Sequence, residues 1–154
     1  MTALFFALIG MIYSRTRTRI ITELGGLMKV MPFLGVVYLI AGLASLGLPG
    51  LSGFVAEMSI FFGAFQHADM FHRVATIMAI SAIVVTAVYI LRVVGILLLG
   101  PIKNDEYLSL KDATWFEKLS TLTLLVSVAG IGIYPHWLYN LIYESIGPIA
   151  DKLI

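Results

Sequence analysis

The sequence predicts an all-α integral membrane protein, and three observations lead to this prediction. Hydrophobic residues make up 60% of the 154 positions and charged residues 12%, whereas soluble domains are about 45–50% apolar and about 25% charged. The apolar residues form long uncharged runs, as lipid-facing helices require. A spanning helix takes roughly 20 residues, so the length admits about four spans and part of a fifth. We expect about four transmembrane helices plus a partial N-terminal one.

Five apolar segments follow one another along the chain, at 3–13, 32–48, 53–65, 75–99 and 119–134. The first is too short to span a bilayer, so we expect it to be only the end of a helix. Pro32 suits the first turn of the second helix. Pro101, after Gly100, and Pro135 should end the last two, because proline terminates helices.

A break is expected between the second and third segments. Residues 48–53 contain Pro49, Gly50 and Gly53, a composition typical of turns. At membrane depth such a stretch forms either a tight hairpin or a broken helix near Pro49–Glu57. In both cases its irregular backbone must be buried in protein or line a wet cavity.

The stretch at 14–20 does not have a helical pattern. Three arginines alternate with threonines there, and a period of two with threonine content favours a short strand. A solvated basic loop at the membrane face explains the same pattern equally well.

The C-terminal tail predicts an amphipathic helix at the membrane interface. His136, Asn140 and Glu144 recur at a spacing of four, and leucine and isoleucine occupy the other side. This pattern suits a helix that lies in the interface plane. We expect Gly147 and Pro148 to interrupt it.

Glu57 is the principal candidate for chemistry. It is the one charged residue in the third apolar segment, where a carboxylate costs a few kcal/mol by insertion scales and is functional by default. A carboxyl group whose protonation responds to its neighbours is what a proton relay needs. The structural alternative is a glutamate that reaches the interface or caps the helix break.

Two cations are candidate electrostatic partners of such an acid. Arg92 lies in the fourth segment, about 12 Å from its end at 1.5 Å per residue. Its fixed charge makes it an anchor or a counter-ion and not a proton carrier. Lys29 precedes the second segment, where an interfacial position or a channel-side amine is expected.

The connection at 66–73 holds the remaining titratable candidates. His67 and His72 are a candidate site of proton uptake or release. Their spacing of five does not place them on one helix face, so we expect no metal site there. A polar loop at the membrane surface is the simpler interpretation.

The sequence does not indicate a metal site, a redox centre or an enzymatic active site. The chain has no cysteine, which removes thiolate metal sites, iron–sulfur clusters and disulfides. It lacks the motifs for phosphates, dinucleotides and catalytic serine or zinc. We therefore expect no cofactor and no catalytic or redox site in this chain itself. The net charge of +1 leaves no footprint for nucleic acid.

Several motifs resemble the late part of the antiporter-like subunits of respiratory complex I. They are GGLMKVMP at 25–32, LASLGLPGLSGFVAE at 43–57, AVYILR at 87–92, LGP at 99–101 and GIYP at 132–135, with RTRTR before them. The resemblance covers nearly the whole chain, and the run from LPG to the glutamate is its most specific part. Glu57 occupies the position where the branch called chain M, or subunit 4, has glutamate and the other branches mostly have lysine.

The resemblance implies a function and a setting. Glu57 would end a path of buried lysine and glutamate residues and pass protons to or from one side, within a helix broken around Pro49 to Glu57. The chain would be a single membrane domain, the C-terminal third of a subunit of about fourteen helices. Its partners would be the N-terminal helices of that subunit, other membrane subunits and the lipid bilayer. The bacterial inner membrane, or an equivalent energy-transducing membrane, would be its location.

Three hypotheses follow. The leading one is a non-redox membrane subunit that contributes to proton translocation coupled to NADH:quinone electron transfer. The second is a subunit of a related cation/proton antiporter or membrane-bound hydrogenase, although the antiporter relatives would carry lysine at position 57. The third is a small membrane assembly protein in which Glu57 only pairs with a base of a partner.

Overall fold

The regular structure of this chain is helical. The computed structural model describes residues 1–66 and 69–150, and no strand occurs within those ranges. Within those ranges seven α-helices follow in order: α1 (Thr2–Thr16), α2 (Leu27–Val30), α3 (Pro32–Ser45), α4 (Ser52–Phe65), α5 (Met70–Val94), α6 (Trp115–Ile133) and α7 (His136–Ala150). A π-helical turn (Gly95–Leu99) continues α5, and a 3-10 turn (Asp105–Ser109) precedes α6. This confirms the all-α prediction.

Two helices are long and apolar enough to cross a bilayer. They are α5 with its π-helical turn, Met70–Leu99, and α6, Trp115–Ile133. The helices α1, α3 and α4 are apolar but have only 15, 14 and 14 residues. A membrane domain is consistent with these lengths, and the number of spans stays a prediction. α5 begins at Met70, before the apolar pattern that starts at 75, so part of the expected polar connection is helical.

The core lies where α1 packs against α3. Leu4, Leu8 and Ile12, one helical turn apart, form the buried face of α1, because residues four apart share a face. Leu34 and Ala41 of α3 are buried in the same hydrophobic cluster. This packing anchors α3, the helix that leads into the break.

The start of α3 is fixed by a carboxylate from a distant loop. The N–H groups of Phe33 and Leu34 donate to the two oxygens of Asp112, at 2.9 Å and 3.4 Å. Pro32 precedes them and has no N–H to satisfy. A negative group at a helix N-terminus meets both the unpaired N–H groups and the helix dipole. Asp112 therefore ties the loop before α6 to α3.

The predicted break occurs between α3 and α4. α3 ends at Ser45 and α4 begins at Ser52. Two glycines within the break have positive φ angles, 65° at Gly47 and 93° at Gly50, which residues with a side chain rarely adopt. Gly53 and Glu57 lie inside α4 itself, so the irregular backbone is limited to 46–51 and includes Pro49.

The break contacts α6 at one point. A Cβ atom added at Gly132 of α6 would collide with the carbonyl oxygen of Gly50 and the backbone of Leu51. The two backbones thus approach as closely as a glycine permits. Leu48, Pro49 and Gly50 are nevertheless exposed, so the expected burial of this irregular backbone is not provided by the described part of the chain.

Of the two alternatives at 14–20, the strand is wrong, and residues 17–20 form an irregular connection. α1 continues to Thr16, whose hydroxyl donates to the carbonyl oxygen of Ile12 at 3.0 Å. Arg17 ends the helix in the left-handed conformation, with φ 57°, and its N–H donates to the carbonyl oxygen of Tyr13 at 2.9 Å. The alternating pattern is misleading for two reasons. The hydroxyl of Thr16 donates to a carbonyl group of its own helix, and Arg15 pairs with Glu117, which is distant in the sequence.

The interruption expected at Gly147 and Pro148 is also wrong, since α7 runs from His136 to Ala150. Proline removes a single N–H donor, and near the end of a helix the loss of one bond is tolerated. The predicted polar side is present, because Asn140 lies 3.3 Å from His136. The placement of α7 at the membrane interface stays a prediction.

Candidate functional site

Glu57 lies in the second turn of α4, directly over the break. It is half-buried. Its carboxylate rests against the α-carbon of Gly47, because a Cβ atom built at Gly47 would collide with Oε2 and lie 3.1 Å from Cδ. The break and the acid are therefore one local structure, in which the end of α3 supports a side chain of α4.

The Glu57 carboxylate has no polar partner in the described part of the chain. Within residues 1–66 and 69–150 it accepts no hydrogen bond and forms no ion pair. The neighbouring hydroxyl of Ser59 is directed to the carbonyl oxygen of Val55, at 2.7 Å. An acidic side chain within an apolar helix is costly when that helix lies in a bilayer. This is typical of a group that is kept for function and not for stability.

A cavity of about 450 Å³ borders Glu57. Apart from Glu57 and Gly47, its lining is apolar and largely aromatic, with Leu46, Phe54, Met58, Phe61, Phe62, Phe65, Ile80 and Ile83. Liquid water takes about 30 Å³ per molecule, so the space can hold several. Glu57 is the one titratable group among its described lining residues.

The candidate cations do not contact Glu57. Arg92 is exposed on α5, nine residues beyond the cavity residue Ile83, which is about 14 Å along a helix. Lys29 is exposed on α2, at the opposite end of α3 from Gly47. In the described ranges neither forms an ion pair. An electrostatic role for either cation stays a prediction and would act over a distance.

Of the two candidate histidines, His72 lies within the described residues. His67 lies outside the described residues. His72, in the first turn of α5, is half-buried, and its Nδ1 atom lies 3.6 Å from the carboxylate of Asp69. Its ring also meets Phe71 edge-on. Among the described residues, no three acidic, histidine or cysteine side chains are grouped as a metal site.

A cluster of charged residues that sequence reasoning missed lies at the end of α1. The Arg15 guanidinium forms two hydrogen bonds with the Glu117 carboxylate, at 2.6 Å and 3.1 Å. Glu117 also accepts from the N–H and hydroxyl of Thr114, at 2.7 Å and 2.9 Å. Threonine followed three positions later by glutamate is the signature of a helix capping box, which could have located the start of α6 from the sequence.

Apolar helices interrupted by a glycine-containing break, with one acid beside it, are consistent with a helical membrane domain. Residues 1–102 match the model of the family described as NADH:quinone oxidoreductase/Mrp antiporter, transmembrane. The chain therefore belongs to this family.

The chain is also similar to curated relatives from bacteria and a plastid. It is 31% identical over 147 residues to NADH-quinone oxidoreductase subunit M of Rickettsia bellii, covering 96% of this chain and 29% of that protein. It is 38% identical over 156 residues to the chloroplastic NAD(P)H-quinone oxidoreductase chain 4 of Mesostigma viride, covering 98% and 31%. A chain 4 of Thermosynechococcus vestitus is 34% identical, covering 97% and 29%. The chain thus spans about three tenths of these relatives, and the resemblance to subunit M, or chain 4, is confirmed.

Proposed function

We propose that this chain contributes to proton translocation as a non-redox part of a membrane subunit of NADH-quinone oxidoreductase. The observation that carries the proposal is Glu57, a half-buried carboxylate without a polar partner in the described ranges, at the edge of an apolar cavity. The names of the relatives support the assignment to this complex. The chain would form a single membrane domain, the C-terminal third of a longer subunit.

Glu57 is the proposed proton-transfer residue. Its carboxyl group would accept protons and pass them to or from one side of the membrane. Electron transfer elsewhere in the complex would drive this proton transfer by altering the electrostatics of the path.

The break gives this carboxyl group room to exchange protons. Helical hydrogen bonding is interrupted between Ser45 and Ser52, a stretch that contains Pro49 and Gly50, and this leaves polar backbone groups near the acid. Such groups can hold water, and water in the cavity can carry protons. His67 and His72 are proposed as the site of proton uptake or release, and Arg92 and Lys29 as distant electrostatic partners.

The proposed setting follows from the same assignment. The other membrane subunits, the remaining helices of the longer subunit and the lipid bilayer would be the partners. The bacterial inner membrane, or an equivalent energy-transducing membrane, would be the location. No cofactor is proposed for this chain.

The test is Glu57→Gln in the assembled complex, with Glu106→Gln as the matched control because Glu106 is exposed on the 3-10 turn. We expect normal assembly on native gels, with reduced quinone-linked NADH oxidation and reduced acidification of inverted vesicles. The control should behave as the wild type. Full pumping in Glu57→Gln would contradict the relay role, and loss of assembly would favour a purely structural role.

A further inference from the structure

We propose that Gly47 is a positioning residue for proton transfer, because its missing side chain determines where the Glu57 carboxyl group lies. This inference rests on the proposed role of Glu57. It assigns a function to a residue that carries no chemistry of its own.

The contact between the two residues involves the whole carboxylate. A Cβ atom built at Gly47 would collide with Oε2 of Glu57. It would also lie 3.1 Å from Cδ and 3.5 Å from Oε1 of the same side chain. These three atoms therefore lie over the face of Gly47 where a side chain would project. Any residue other than glycine would displace the carboxylate from this place.

The contact is steric and uses no hydrogen bond. The N–H of Gly47 donates to the carbonyl oxygen of Ala44 at 3.3 Å, and the next N–H, of Leu48, donates to Leu43 at 3.3 Å. These donors are satisfied by the end of α3. In the described structure both oxygens of Glu57 are thus left available for a proton and for water in the cavity, as a group that must gain and lose a proton requires.

An alanine at position 47 would change the surroundings of the acid. The added methyl group would push the carboxylate away from the break and toward the aromatic wall formed by Phe54 and Phe61. The protons would then be exchanged at a different place, and the carboxyl group would be more accessible to apolar reagents in the cavity.

Gly50 provides a matched control. It also has a positive φ, 93° against 65° for Gly47, yet no heavy atom lies within 4 Å of the position of its Cβ. Alanine at either site strains the backbone, because left-handed conformations disfavour a side chain. Only alanine at position 47 adds a collision with Glu57. Faster labelling of Glu57 in Gly47→Ala than in Gly50→Ala therefore reports on the collision with the carboxylate, because the less favourable φ angle is that of Gly50.

The experiment compares Gly47→Ala and Gly50→Ala in the full-length subunit within its assembled complex. The probe is dicyclohexylcarbodiimide, which reacts with protonated carboxyl groups in apolar surroundings, and labelling of Glu57 is followed by mass spectrometry of its peptide. We expect Gly47→Ala to label Glu57 several-fold faster than both the wild type and Gly50→Ala, and to pump fewer protons than the wild type. Equal labelling rates in the two variants would overturn the proposal.

A second variant tests the proposal if the Gly47→Ala subunit does not assemble into the complex. The double variant Gly47→Ala with Glu57→Ala removes the carboxylate, so assembly should return if the collision caused the defect. Assembly that remains lost would overturn the proposal. The role of Glu57 is tested separately, because full pumping in Glu57→Gln would contradict the proposed function while the labelling comparison of the glycine variants still stands.

Discussion

Arg15 and Glu117 face each other in a two-pronged ion pair, with Nη2 2.6 Å from Oε2 and Nη1 3.1 Å from Oε1. Their side chains are only 13% and 26% exposed. The same guanidinium donates to the carbonyl oxygens of Lys111 and Asp112, at 2.8 Å and 3.3 Å. One arginine thus joins the end of α1, the loop before α6 and the first turn of α6.

Replacing Arg15 by lysine should destabilise the protein, because an ammonium group cannot reproduce the paired geometry. We expect a loss of about 1–2 kcal/mol, in the range for charged hydrogen bonds that are partly screened. Thermal unfolding of the detergent-solubilised protein measures it. The control is Arg17→Lys, which changes an exposed arginine two positions away. Equal stabilities for the two variants would argue against the ion pair.

Removing the carboxylate of Asp112 should loosen the start of α3. Asp112→Ala leaves the N–H groups of Phe33 and Leu34 without their acceptors, and loss of an N-terminal cap costs about 1 kcal/mol. Hydrogen exchange at these two amides should accelerate, while Asp105→Ala, in an exposed 3-10 turn, should not affect them. Unchanged exchange in Asp112→Ala would show that the loop does not cap α3.

Alanine at Gly132 should disturb the packing of α6 on the break. The added methyl group would collide with the backbone of Gly50 and Leu51, and overpacking costs about 1–3 kcal/mol. Gly130 has open space at the same atom, so Gly130→Ala should be neutral or stabilising, as glycine is a poor helix former. The melting temperatures of the two variants should move apart. Equal shifts of the melting temperature in Gly132→Ala and Gly130→Ala would contradict the close approach of Gly132 to the break.

Neutralising Arg92 should weaken proton pumping less than neutralising Glu57 does. Arg92 lies about 14 Å along α5 from the cavity, so it acts on Glu57 only through the field of its charge, which decays with distance. Arg92→Gln should therefore keep most of the vesicle acidification, and Arg92→Lys, which retains the charge, should keep all of it. A loss as large as that of Glu57→Gln would place Arg92 in the proton path itself.

The sequence alone was sufficient for the local features of this protein. Long uncharged runs predict helices, because backbone groups in lipid must bond within their own segment. Pro49 and Gly50 predict the break, since one lacks an N–H and the other tolerates positive φ. Glu57 stands out because it is the one charge in residues 32–65. The helices, the break and the exceptional position of Glu57 each depend on residues that are close together in the sequence.

Only the tertiary structure decided which distant groups meet. Arg15 pairs with a residue 102 positions away, a partner that its arginine–threonine pattern does not reveal. Asp112 caps a helix 79 positions earlier, and Gly47 matters because α4 folds back over it. Local pattern cannot reveal such pairs, because they arise when packed helices bring two segments together. The composition thus determined a helical membrane protein with one conspicuous acid, and the packing of α3, α4 and α6 determined where that acid lies.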